Sequence, residues 1–222
     1  MRQPEPIKWL LRGRIADEGP RTAQYPYTKL RNIQEPVDCR TAILDETDCF
    51  EREFGKALVQ PFYDLVWEIN VSPGVFTSHV ACSSERFIPA GFAAGVGALV
   101  VIQSRNFEDQ ATLQAIQGLC DCLCGTLASS PLARQLDPEG GWMEVRPTRV
   151  DFYCSPHPET GVMRATTVGR PGYACELITA GCGQSRSEAA RGWGVMCSFA
   201  AAVLRSCTPV APPFDQSIHF PV

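Results

Sequence analysis

The sequence predicts an α+β protein: antiparallel hairpins packed on one side by two long helices, in the element order α-βββα-βββα. Three observations carry that prediction. Two capping boxes, Asp48-Cys49-Phe50-Glu51 and Ser185-Arg186-Ser187-Glu188, each open a run with apolar residues at helical spacing. Between them lie short stretches of alternating apolar residues, separated by glycine and proline turns. The eleven cysteines follow neither a zinc cadence nor the density of a disulfide-built scaffold, so they read as small apolar packing groups.

Residues 1–46 show no periodicity, and Pro4, Pro6, Pro20, Pro26 and Pro36 punctuate them; proline removes a backbone donor and disfavours helix before it. They are expected to form an extended N-terminal arm. A helix is predicted from Cys49, with Phe50, Phe54, Ala57 and Leu58 on one face, until Pro61 interrupts. Leu65, Trp67, Ile69 and Val71 alternate, Ser72-Pro73-Gly74 offers a turn, and Val75 to Cys82 returns as the second strand of a hairpin. Phe87 to Ser104 carries no charge, but Pro89, Gly91, Gly95, Gly97 and a β-branched run favour a glycine-rich loop leading into a central strand over Ala98–Gln103, rather than a membrane span.

Asn106 with Glu108 and Asp109 is a good start for the next helix, whose stripe is Leu113, Ile116, Cys120, Leu123 and Leu127. That stripe is expected to be buried against its own sheet or against the 186–207 helix. Met143–Cys154, Val162–Val168 and Tyr173–Ala180 then read as three strands. The final helix presents Trp193, Met196, Cys197, Ala200, Val203 and Leu204 on one face until Pro209 ends it. The domain reading is therefore an arm over 1–46, a single α+β domain over 47–207 and a C-terminal tail over 208–222. The halves 62–130 and 142–207 share an element order and leave a duplication open.

Charge and composition narrow the function. A net charge of −4 argues against a general nucleic-acid binder, although residues 1–40 carry +3 and the remainder −7. A basic arm on an acidic body suits docking on a neighbouring subunit. No signal peptide is expected: Arg12 and Arg14 end the short Trp9-Leu10-Leu11 cluster.

Several constellations bear on chemistry. On a helix Cys120 and Cys124 share a face while Cys122 points away, so the three cannot close on one metal ion, and the stripe explains Cys120 as packing. His79 with Cys82 and His157 with Cys154 are the nearest thiol–imidazole pairs, but residues three apart on a strand face opposite sides. The acidic run Asp45, Glu46, Asp48, Glu51 and Glu53 misses the calcium-loop spacing and suits the positive end of a helix. Gly91, Gly95 and Gly97 precede a strand, the wrong order for a phosphate cradle. Gly181-Cys182-Gly183-Gln184-Ser185 has the right order, strand then helix, but no phosphate-binding lysine.

No catalytic, cofactor-binding or metal-binding residue is assigned, and no cofactor is expected. The expected function is a non-enzymatic structural subunit of an oligomeric complex, touching copies of itself or other subunits through its terminal arms, with no membrane and no direct nucleic-acid contact. A cytoplasmic assembly is the expected location, and a virus or phage particle, as a head–tail or tail protein, the expected setting. The alternative is a small α+β thiol enzyme or ligand-binding protein, using a thiol or the Gly181–Ser185 turn.

Overall fold

The computed structural model describes residues 8–15, 21–23, 48–71, 75–83, 88, 91–104, 109, 111–134, 136, 140–156 and 163–207. In chain order the elements are β1 (Leu10–Arg12), β2 (Arg21–Ala23), α1 (Asp48–Phe54), α2 (Lys56–Val71), β3 (Val75–Ser83), β4 (Ala94–Ser104), α3 (Leu113–Ser129), a 3₁₀ turn (Pro131–Arg134), β5 (Gly141–Pro156), β6 (Met163–Gly183) and α4 (Arg186–Cys207). The class is α+β as expected; the element order is not.

The first difference lies at residues 62–71. The alternation there predicts a strand, yet the segment completes α2, because Val59, Phe62, Leu65, Val66 and Ile69 also repeat at helical spacing and are the residues that become buried. Trp67, which the alternation would place with Leu65, is 49% exposed. The helix break comes at Gly55 and not at Pro61. Gly55 has φ +81°, donates to the Glu51 carbonyl at 2.8 Å and closes α1 in a left-handed cap. Pro61 then falls in the second turn of α2, where the carbonyl it cannot bond belongs to exposed Ala57.

The second difference lies in the sheet. The long strands run in the order β5-β6-β4-β3 and pair antiparallel throughout. β1 and β2 add to the outer side of β5 in parallel, so the sheet is mixed rather than purely antiparallel. Both come from the N-terminal arm, far from β5 in sequence, and alternation says nothing about strand direction when no hairpin enforces it. The arm is thus partly sheet. Trp9 beside β1 is buried and meets the Phe199 ring edge-on at 5.0 Å.

The third difference is that the two strands predicted over 162–180 are one, β6, which stays paired at Gly172 and shifts its register to β5 between Phe152 and Cys154, opposite residues 166–169. Gly172 pairs with Val150 and Pro171 with Asp151. β4 pairs with β6 only as far as Cys175, so Pro171 lies where the side away from β5 has no described strand, the position a proline tolerates. After α2 the order is therefore ββα twice, not βββα twice.

α3 starts at Leu113, with Thr112 as its cap accepting from the Ala115 amide at 3.3 Å, seven residues after the Asn106 start read from sequence. Ile116, Cys120 and Leu127 of its stripe are buried in the main core, and Leu113 and Leu123 are half-buried. The helix rests on β1, β5 and β6, so the stripe meets its own sheet. β4 is central and buried along its whole length. Among the described residues no helix is long and apolar enough to cross a membrane.

The helices share one side of the sheet, where Val96, Ala98, Val100, Met143, Val145 and Leu177 join them in the main core. α4 lies closest: a Cβ on Gly181 would run into the Ala189 carbonyl and the Trp193 amide. On the reverse face Leu99, Val101, Val150, Ala174 and Ile178 form a second cluster made, among the described residues, of strand residues alone. The tail over 208–222 lies outside the described residues.

Candidate functional site

The Gly181–Ser185 turn joins β6 to α4 and is held on every side. The Ser185 half of the predicted capping box forms, with Ser185 Oγ accepting from the Glu188 amide at 3.2 Å, while Glu188 Oε2 accepts from the Gln184 amide at 2.9 Å, one residue before the cap. Gln184 Nε2 donates to the Gly91 carbonyl at 3.2 Å, and Cys182 Sγ donates to the Gly140 carbonyl at 2.8 Å. The amides of Gln184 and Glu188 are thus bound within the chain, which removes much of what an anion would use. Gly95 and Gly97 are strand residues paired with Cys182 and Ala180.

One cavity adjoins this turn and a second lies farther along α4. One, of about 490 Å³, is bordered by Phe92, Gly140, Cys182, Gln184 and Glu188. The other, of about 570 Å³, is bordered by Leu58, Pro61, Leu132, Leu136 and Phe199. Arg191 and Val195 line both, so together the cavities form one groove along the outward face of α4. The rim is apolar and open: Phe92, Leu132 and Val195 are 40%, 41% and 40% exposed. Arg191 is exposed, and among the described residues it makes no hydrogen bond or ion pair. The other arginine at this end is engaged: Arg186 bridges to Glu53 of α1 at 2.6 Å.

The thiols lie elsewhere. Cys120 on α3 and Cys175 on β6 are both buried, and Cys175 Sγ donates to the Glu176 carbonyl at 3.9 Å. The neighbouring Cys175 thiol draws the Cys120 thiol down against its burial, and the Cys120 thiol together with burial holds Cys175 well above the usual range. Burial pushes Cys124 up to about 11 and Cys197 up to about 12, and raises Cys182 as well. Cys122 is exposed on the opposite side of α3 from Cys120, as the helical rotation requires. Arg12 lies beside this cluster but pairs with Asp121 at 2.7 Å. Among the described residues no three His, Cys, Asp or Glu side chains are placed to share a metal ion.

The two thiol–imidazole pairs fall outside the described side chains: His79, Cys82 and Cys154 are located by backbone only, and His157 lies outside the described residues. Of the acidic run, Glu51 accepts from the Tyr63 hydroxyl at 3.2 Å and Glu53 takes Arg186, while Asp45 and Glu46 lie outside the described residues.

Sequence reasoning missed a buried ion pair on the reverse face of the sheet. Glu176 has no exposed side-chain surface and accepts from Arg146 Nε at 2.8 Å, its neighbour in the β5–β6 register. Glu144 lies 3.9 Å from the same guanidinium. The signal was present: Glu176 is the one charged residue in Tyr173-Ala174-Cys175-Glu176-Leu177-Ile178, an otherwise apolar strand. A desolvated carboxylate bound to arginine fixes register and does not activate a nucleophile.

No protein-family model, curated protein or solved structure matches this chain.

Proposed function

We propose that this chain is a non-enzymatic structural subunit that works by packing against copies of itself or against other chains. The observation that supports this reading best is the α4 groove, an open apolar surface rimmed by Phe92, Leu132 and Val195 and holding Arg191, which has no partner among the described residues. Contiguous exposed apolar surface is a usual mark of a docking site. The described parts of the N-terminal arm pair with their own sheet, so the groove and the C-terminal residues are the surfaces to which the reading now assigns contact. Within the same proposal the assembly is cytoplasmic, with a virus or phage particle as its setting; that last step rests on the proline-punctuated arms alone.

The thiol-enzyme alternative draws less support, because burial raises the Cys124, Cys182 and Cys197 thiols and a thiolate is what attacks. Sedimentation of the full chain at micromolar concentration tests the assembly reading. A mass of several protomers that falls on dilution is expected, and a monomer at every concentration would contradict it.

A further inference from the structure

The chain itself contains a segment suited to the α4 groove. We infer, resting on the assembly reading, that the groove receives residues 208–222 of a neighbouring copy, with Phe214 entering the apolar cavity and Asp215 pairing with Arg191.

Charge is the first argument. Asp215 is the only Asp, Glu, Lys or Arg in residues 208–222, and Arg191 is an exposed cation with no partner among the described residues. One carboxylate in an apolar segment meets one guanidinium in an apolar groove. An arginine fork on a carboxylate adds geometric register to the attraction. The shape of the segment is the second argument. Pro209, Pro212, Pro213 and Pro221 lack amide donors and restrict the chain, so the segment docks by side chains and loses less entropy on ordering. The groove offers the matching surface, side chains of α2, α4 and the 3₁₀ turn rather than a strand edge. Proline-rich segments are recognised by apolar grooves in this way.

Reach decides between the chain's own tail and a neighbour's. The tail leaves α4 at Cys207, and Val195 lies twelve residues back along the helix, which is about 18 Å. Residues 208–214 span at most roughly 23 Å when fully extended. To reach its own cavity, whose lining begins eight residues back at Phe199, the chain would have to double back along α4. A neighbouring copy needs no such reversal.

The experiment is a charge swap in the full chain, read by sedimentation equilibrium. Arg191→Glu, at an exposed position, and Asp215→Arg are each expected to weaken self-association by roughly tenfold or more, and the double variant to restore most of it. Phe214→Ala is expected to weaken association without rescue by either change. An oligomer indifferent to both single substitutions overturns this inference and leaves the assembly reading standing. A monomeric native chain overturns both. Loss in the single variants with no recovery in the double variant also overturns the pairing.

Discussion

Along α4, Ala189, Ala190, Trp193, Met196, Cys197 and Ala200 turn inward and are buried, whereas Arg191, Val195 and Ser198 face outward and line the groove. The inward set touches the sheet and α2. The Trp193 ring lies 5.4 Å from that of Phe62, and its Nε1 donates to Thr179 Oγ1 at 3.0 Å. The outward set has no described element over it. One helix therefore separates two kinds of work: its inner face carries the fold, and its outer face is left for contact.

That separation can be broken most forcefully from the inside. Trp193→Ala is expected to cost about 3–5 kcal/mol, through lost transfer energy and a cavity the neighbours cannot fill. Urea unfolding followed by far-ultraviolet dichroism measures it, and a loss under about 1 kcal/mol would show that the inner face is not tightly packed. The sheet beneath α4 offers a second contrast, between its uncharged helix side and a reverse side that holds Glu176 and Arg146. Arg146→Met is expected to cost about 3–5 kcal/mol because it strands a buried carboxylate, and adding Glu176→Leu should recover most of that loss. If the single variant is as stable as the parent, Glu176 is hydrated and the reverse face is open to water.

A smaller effect follows from Cys197. Its thiol rises from an ordinary 9.0 to about 12 through burial. Above pH 9 the unfolded chain gives up this proton while the folded chain keeps it, so stability is intact below pH 9 and falls as pH rises toward 12. The expected slope is about 1.4 kcal/mol per pH unit from this thiol. Cys197→Ala should flatten the stability curve by that amount above pH 9, and identical slopes in parent and variant would show that the thiol is not desolvated.

The sequence was a good guide where one pattern had one explanation. The α4 face, the buried β4 and the stripe on α3 are apolar at a single period, and each lies on the core. It misled where two periods overlapped. Leu65, Ile69 and their neighbours satisfy both alternation and helical spacing, and only the packing of Phe62 and Val66 decides between them. Gly172 reads as a turn because a local pattern cannot show that a partner strand, β5, pairs with it, whereas the register shift between Phe152 and Cys154 does fall opposite Gly169. The groove was invisible for a different reason. Its lining comes from α2, α4 and the 3₁₀ turn, and no local signal brings Pro61, Leu132 and Phe199 together.

The outer face of α4 gives the most direct test of the whole account, through Val195→Asp measured for stability and native mass on the same preparation. Val195 is 40% exposed, so the variant is expected to keep the parent's unfolding free energy to within about 0.5 kcal/mol. Its mass in sedimentation is expected to fall from the oligomer to the monomer. A variant that keeps the parent's mass but loses stability would place Val195 with the fold and contradict the division between the two faces.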